Sequence, residues 1–302
     1  MKILVLAQIH PDGIALLQKR CEVIIATGLS EEEIIEKIRG CNAVIVRSKP
    51  KITKAVIDAG DSLQVIGRAG VGLDNVDTEH ARSKGITVVN TPAASTESVA
   101  EHVFALLLSK ARDIPRADHA MREGKWIKKD LMGIELQGKT LGVIGFGQIG
   151  SRLGEIAAAF GMSVLAYDVI DVSERAQQVG ARVVSMDEVL SESDFISLHV
   201  PLLPSTRNLI SQEEIGKMKE KAILVNTSRG GIIDEKALQE ALTKGKIQAA
   251  LDVFENEPPT QSPLLTTEGI VLTPHIAGST EEAQMRAGIE IARRVIQELN
   301  LS

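Results

Sequence analysis

Leu141-Gly142-Val143-Ile144-Gly145-Phe146-Gly147-Gln148-Ile149-Gly150 is the stretch whose reading decides the fold. A β-branched run leads into Gly145, Gly147 and Gly150, which form GxGxxG, and an apolar-periodic helix follows over Ile149–Phe160. The three glycines serve different ends. Gly145 permits a tight turn, Gly147 lets a pyrophosphate approach the backbone, and Gly150 lets helix and strand pack closely. The helix start adds free amides and a partial positive charge. A second strand, Ser163–Tyr167, then ends in Asp168, eighteen residues beyond Gly150. An acid at that place hydrogen-bonds the adenosine ribose. A GxGxxG alone is a weak signal; strand, helix and acid in sequence predict a dinucleotide site. Asp168 repels a 2′-phosphate, and Val169-Ile170-Asp171 offers no cation for one, so NAD is expected over NADP.

Outward from this turn, short β-branched runs alternate with amphipathic segments, which implies parallel sheets wrapped by helices. Five strands are predicted before residue 91: Lys2–Ala7, Glu22–Ala26, Ala43–Arg47, Gln64–Arg68 and Ile86–Asn90. A second series runs through Leu141–Ile144, Ser163–Tyr167, Arg182–Val184, Phe195–Leu198, Ala222–Asn226, Gln248–Leu251 and Ile270–Leu272. Between the series lies a helix predicted from Ser98 to Arg112, begun by a Ser98/Glu101 capping box, with Val99, Val103, Leu106 and Leu107 on its apolar face. A mixed polar stretch follows it. Ser279-Thr280-Glu281-Glu282 caps a last helix reaching about Asn300. The reading is α/β, with two doubly wound parallel-sheet domains and an active-site cleft expected between them. A substrate domain takes 1–94 and 279–302, and an NAD-binding Rossmann domain takes 95–278.

Composition narrows the function. With 302 residues, 44% hydrophobic and 25% charged, the chain is an ordinary globular sequence of two domains. No apolar run approaches the ~20 residues of a membrane span. The apolar stretch at Met1–Gln8 is too short for a signal-peptide core, so a cytoplasmic protein is expected. A net charge of −6 and 2% aromatics argue against a nucleic-acid surface. Cys21 and Cys41 have no neighbour at metal-ligand spacing, and no HExxH or His/Cys cluster exists, so no metal is expected.

Polar residues at strand ends carry the chemistry, because open α/β sheets bind ligands outside the carboxyl ends of their strands. Arg229, in Asn226-Thr227-Ser228-Arg229-Gly230-Gly231, follows an apolar strand and suits a carboxylate. Asp252, Glu255 and Glu257 lie in the acidic, proline-closed segment Leu251–Pro259. His275, after the last strand, fits a general acid/base with an acid on the neighbouring loop. His199-Val200-Pro201 is expected to give backbone contacts to the cofactor. His102 reads as a buried polar contact, and His10, His80 and His119 as surface residues. Arg47, with Lys49 beside it, and Arg68 end neighbouring strands of the first series and together suit a dianionic phosphate.

Taken together, Gly67-Arg68-Ala69-Gly70-Val71-Gly72-Leu73-Asp74-Asn75-Val76-Asp77, the GFGQIG turn, His199-Val200-Pro201, NTSRGG, LDVFENEP and LTPHIAGST resemble the D-isomer-specific 2-hydroxyacid dehydrogenases, in order and over nearly the whole chain. The resemblance implies a flavodoxin-like substrate domain and a hydride transfer between NAD and a small 2-hydroxy or 2-keto acid. It assigns Arg229 to the substrate carboxylate and carbonyl oxygen, His275 to proton transfer, and Glu257 to the acid that bonds the histidine, with Glu255 a competitor by proximity. Asp252 matches an acid near the nicotinamide carboxamide, and the Ala69-Gly70-Val71 turn a backbone site for the substrate carboxylate. Cofactor contacts are expected from Gly145, Gly147, Gln148, Ile149, Gly150, Asp168, His199, Val200, Pro201, Thr206, Thr227, Ser228, Arg229, Asp252, His275 and Gly278. Family members acting on phosphoglycerate place arginines at the positions of Arg47 and Arg68; those reducing glyoxylate or hydroxypyruvate tend to have uncharged residues there. The expected substrate is therefore 3-phosphoglycerate, entering serine biosynthesis, with glyoxylate, hydroxypyruvate or a longer 2-keto acid as alternatives. An NAD-sensing corepressor of the same fold is a distant one. A homodimer through Ser98–Lys125 is also implied.

Overall fold

In the computed structural model, which describes residues 1–301, the chain divides into two compact units. One comprises residues 1–96 with the C-terminal segment from Gly278, and the other is Glu97–Ala277.

The first unit holds β1 (Lys2–Val5), β2 (Glu22–Ile25), β3 (Ala43–Val46), β4 (Val65–Arg68) and β5 (Thr87–Asn90), all parallel, in the order β2-β1-β3-β4-β5. Ala43-Val44-Ile45-Val46 is buried throughout, the pattern of a central strand covered on both faces. Alternate residues feed two cores. Leu4, Val44, Val46 and Ile66 face Ile34, Ile38, Val56 and Ile57 on one side. Ile3, Val5, Ile45 and Val65 face Leu17, Ile291 and Val295 on the other. The C-terminal helix Glu281–Glu298 thus completes the first unit, N-capped by Thr280, whose side chain accepts from the Ala283 amide. Gly67 is where it seats: a Cβ there would stand 2.9 Å from Val295 Cγ2.

The second unit holds β6 (Thr140–Ile144), β7 (Ser163–Tyr167), β8 (Arg182–Val183), β9 (Phe195–Leu198), β10 (Ile223–Asn226), β11 (Gln248–Leu251) and β12 (Ile270–Leu272). They run parallel in the order β12-β11-β10-β9-β6-β7-β8. The connections reverse side between β6 and β9, which makes that pair the switch point of the sheet. Phe146, inside the glycine turn, is fully buried and reaches under the helix Gln148–Ala159 to Gly154. Truncating such a ring typically costs ~3–5 kcal/mol.

Three expectations need correction. The helix predicted from Ser98 begins at Thr96, so Ser98 lies buried in its first turn and is no N-cap. The chain already curls at Thr91–Thr96, where the Ala94 amide meets Thr91 O and the Thr96 amide meets Ala93 O. The mixed polar stretch contains a helix, Ile114–Arg122, of which only Ala120 is buried; Ile114 and Met121 are exposed, so no buried stripe announced it. Neither His10 nor His80 is a plain surface residue: both are half-buried, and His80 Nε2 lies 2.9 Å from Asp58 Oδ1. Among the described residues no helix is long and apolar enough to cross a membrane.

Candidate active site

All seven strands of the second sheet are parallel, so every residue that follows a strand end emerges at one edge. The glycine turn follows β6, Asp168 follows β7, His199 follows β9, Arg229 lies beyond β10, Asp252 follows β11 and His275 lies beyond β12. Gly145 adopts φ +93°, and a Cβ there would stand 2.5 Å from His199 O, so side chain and turn exclude each other. A Cβ on Gly147 would meet nothing within 4 Å, which leaves its backbone open to a ligand. Gly150 has no room for a side chain either, since a Cβ would lie 2.5 Å from Gly145 O. The helix that starts here has no side-chain cap. Asp168 Oδ2 accepts from the Phe146 amide at 2.8 Å, tying the end of β7 to the turn. These features fit a dinucleotide: an open backbone at Gly147, uncapped helix amides for the pyrophosphate, and a carboxylate for the ribose.

The Arg229 loop is shaped by Asn226. Asn226 Nδ2 donates to Arg229 O at 2.8 Å, while its Oδ1 accepts from the Ser228 amide at 3.0 Å and the Ser228 hydroxyl at 2.7 Å. Gly230 then passes against the Phe254–Glu255 backbone so closely that a Cβ would overlap Phe254 O. This crossing brings the arginine loop onto the acidic loop. Arg229 Nη1 donates to Ser228 O at 2.7 Å.

His275 Nδ1 and Glu257 Oε2 are 2.7 Å apart, and Glu257 Oε1 accepts from the Phe254 amide at 3.2 Å. An ionised carboxylate with the imidazole proton assigned to Nδ1 satisfies both contacts. Nε2 of the neutral ring is then a free acceptor, the state a general base needs. Glu255 is turned elsewhere: its amide bonds Glu235 and its carboxylate lies 3.9 Å from Arg207. His275 itself sits at φ +56°, a left-handed conformation rare for a non-glycine residue, of the kind found at functional sites.

Asp252 holds that conformation. Fully buried, its Oδ1 accepts from Thr273 Oγ1 at 2.5 Å and the Ile276 amide at 2.9 Å, and its Oδ2 from the Ala277 amide at 2.8 Å. His102 Nε2 stands 3.1 Å from Thr273 Oγ1 and 3.6 Å from Asp252 Oδ1. Burial alone would raise the Asp252 carboxyl, but hydrogen bonds from His102, Thr273 and the two amides outweigh it and keep the group below its ordinary range. Both oxygens are engaged in clamping the turn around His275. Sequence reasoning could assign Asp252 a cofactor contact but not this clamp, because Thr273 and His102 lie far from it in the chain.

Burial pushes the His199 imidazole down to about 3. The residue is partly exposed overall, yet its Nδ1 is sealed from solvent without a partner, and Nε2 lies 2.8 Å from Ser197 Oγ. Thr206 closes its own loop through Pro201 O at 2.6 Å, and buried Thr227 follows β10. Val200, Pro201 and Ser228 remain at least partly accessible at this edge.

In the first unit, Arg47 follows β3 and Arg68 ends β4, and Val46 pairs with Arg68 across these neighbouring strands. Arg68 folds over the Ala69-Gly70-Val71 turn: its Nη1 occupies the space a Gly70 Cβ would need, and Gly70 adopts φ +147°. Gly278 packs near Ser95 in this same unit.

Residues 104–277 match the model of the NAD-binding domain of the D-isomer specific 2-hydroxyacid dehydrogenases. The chain is 51% identical over 297 residues to the D-3-phosphoglycerate dehydrogenase of Methanocaldococcus jannaschii, covering 98% of this chain and 57% of that protein. It is 48% identical over 290 residues to the hydroxypyruvate reductase of Thermotoga maritima, covering 95% and 94%. The chain therefore spans about half the length of the phosphoglycerate dehydrogenases it matches. Among solved structures, the D-lactate dehydrogenase of Aquifex aeolicus complexed with NAD and lactic acid superposes with a TM-score of 0.88 at 30% identity, over 99% of this chain and 96% of that one.

Proposed function

The chain belongs to the D-isomer specific 2-hydroxyacid dehydrogenases, and from that premise we propose that it catalyses the NAD-dependent oxidation of D-3-phosphoglycerate to 3-phosphohydroxypyruvate. Neutral His275 takes the C2 hydroxyl proton on Nε2, and Glu257, bonded to Nδ1, stabilises the imidazolium that forms. Arg229 fixes the substrate carboxylate and polarises the C2 oxygen. NAD, when held by the glycine turn and Asp168, supplies the two-electron acceptor for the hydrogen leaving C2. Asp168, with exposed Val169 and Ile170 after it and no cation among them, supports NAD over NADP.

The substrate reading rests on one observation: two arginines, Arg47 and Arg68, end adjacent parallel strands of the first unit. They would take the 3-phosphate. Charge-assisted contacts are worth roughly 1.5–3 kcal/mol each, so Arg47→Ala or Arg68→Ala should lower kcat/KM for 3-phosphoglycerate by about one to two orders of magnitude. Activity on hydroxypyruvate, measured beside it by NADH absorbance, should change far less. Equal losses on both substrates would remove the phosphoglycerate assignment. A second reading, hydroxypyruvate reduction, is favoured by the 48% identity to the Thermotoga reductase over 94% of that protein.

We further propose a homodimer in the cytoplasm. Ile114, Met121, Trp126 and Met132 are exposed within or just beyond the stretch expected at its interface, Trp126 to 77%. Trp126 is the single tryptophan. Sedimentation at micromolar concentration should give twice the chain mass; a monomer there would refute the dimer.

A further inference from the structure

We propose that His10 is a donor to the remote phosphate of the substrate, acting with Arg47 to set the preference for a phosphorylated 2-hydroxy acid; this rests on the reaction proposed above. In the order β2-β1-β3-β4-β5 the connections reverse side between β1 and β3, so the crevice beyond these two strand ends is where such a sheet takes a ligand. Arg47 follows β3 directly, and His10 lies on the loop that leaves β1. Both line a cavity of about 570 Å³ together with Ser279, Thr280, Glu281 and Gln284.

Arg47 and Glu281 both line this cavity without forming an ion pair. Burial lowers the Arg47 guanidinium from its ordinary value, and no carboxylate stands within ion-pair distance of it among the described residues. A desolvated cation without a counter-ion calls for an anion. Glu281, however, also lines the cavity and offsets the arginine. With Arg47 offset in this way, Arg68 supplies the remaining cation for a dianion, and a further donor on the Arg47 side of the site adds to selectivity. His10 has that donor. It is the N-cap of the helix Pro11–Gln18, its Nδ1 accepting from the Asp12 amide at 3.3 Å. Accepting at Nδ1 puts the proton of the neutral ring on Nε2, as a donor. When the ring is charged, Asp12 Oδ2 lies 3.5 Å from Nδ1 and Nε2–H remains.

Glycine contacts hold His10 in place. A Cβ on Gly288 would lie 2.9 Å from His10 Cβ, and one on Gly13 would overlap Gly288 O. Helices Pro11–Gln18 and Glu281–Glu298 therefore cross backbone to backbone, which brings His10 beside the first turns of the C-terminal helix.

Two substitutions separate the cap from the donor. His10→Asn keeps a good N-cap but retracts the far nitrogen; His10→Gln places an amide near the Nε2 position but caps poorly. The readout is the ratio of kcat/KM for 3-phosphoglycerate to that for D-glycerate, with melting temperature as the folding control. His10→Asn should keep its melting temperature and lose about tenfold in that ratio, the low end for a hydrogen bond to a charged group, mainly through KM. His10→Gln should retain most of the ratio despite lower stability. A ratio unchanged in His10→Asn, or lost equally in both variants, overturns the inference. Should Arg47→Ala also leave the ratio untouched, the phosphate reading beneath it fails as well; a fall in Arg47→Ala alone refutes only the role of His10.

Discussion

Replacing Glu257 by Gln puts the centre of the proposed chemistry under the sharpest test, because the geometry dictates what each atom must then do. The carboxylate answers two donors, His275 Nδ1 at 2.7 Å and the Phe254 amide at 3.2 Å. A primary amide has one oxygen for those two places. If its oxygen serves the Phe254 amide, its NH2 faces Nδ1, which must then accept, and the ring proton moves to Nε2. That tautomer cannot take the substrate's hydroxyl proton. If the oxygen stays on His275, the tautomer survives but the charge opposite the imidazolium is gone. Two unit charges ~4 Å apart interact by about 1 kcal/mol in water and about 4 kcal/mol at an effective dielectric of 20. With side chains 47% and 37% exposed the pair lies between these limits, so the charge contributes about 2–3 kcal/mol, or roughly 30- to 150-fold in rate. Adding the wrong tautomer, kcat for oxidation should fall about 10²- to 10³-fold with KM little changed. Stopped-flow or steady-state NADH absorbance measures this directly. The pH dependence gives a second reading: losing the carboxylate disfavours the imidazolium, so the limb of the kcat profile assigned to His275 should move to lower pH. A variant within tenfold of wild type, with its pH profile unmoved, would refute the dyad.

Arg229→Ala and His275→Ala should nearly abolish turnover while NADH binding, followed by fluorescence, persists; either variant keeping more than about a tenth of the activity, a barrier change under ~1.4 kcal/mol, contradicts its role. Asp168→Ser with Val169→Arg should raise NADP use by removing repulsion and adding a phosphate partner, and equal wild-type efficiency with both cofactors would count against Asp168 as the selector. His199 gives an acid-stability prediction. The unfolded chain takes up this proton near pH 6.5, but burial delays it in the folded state to about 3. Acidification through that window thus favours the unfolded state, and the loss levels off below it. His199→Gln should lose less stability than wild type between pH 7 and pH 4.5 in urea melts, and parallel losses would show that His199 titrates normally.

Local chemistry was legible from the sequence alone. The GxGxxG turn, the β-branched runs, Asp168 at the end of β7 and the polar residues after β9, β10, β11 and β12 depend on neighbours a few positions apart. A parallel sheet then sends all such strand ends to one edge, so candidate residues could be gathered before any distance was known. Local signals failed where a longer-range contact or a weak pattern decided the outcome. The Ser98/Glu101 pattern looks like a cap, yet the curl at Thr91–Thr96 starts the helix sooner. The helix Ile114–Arg122 buries one residue and so carries almost no periodic signal.

Choices between chemically equal residues were made by the tertiary structure. Glu255 and Glu257 are two positions apart with the same side chain; backbone crossing at Gly230 and the 2.7 Å approach of Glu257 to His275 separate them. Asp252 reads as a carboxylate at a strand end, but only the fold turns both its oxygens onto Thr273, Ile276 and Ala277 and makes it the clamp for a left-handed His275. His10 reads as a surface histidine until Gly13 and Gly288 bring two helices from opposite ends of the chain into backbone contact. Residue type and spacing determine what a group can do; which partner it meets is decided by packing between segments distant in sequence, because a hydrogen bond requires its two atoms within about 3 Å whatever their separation along the chain.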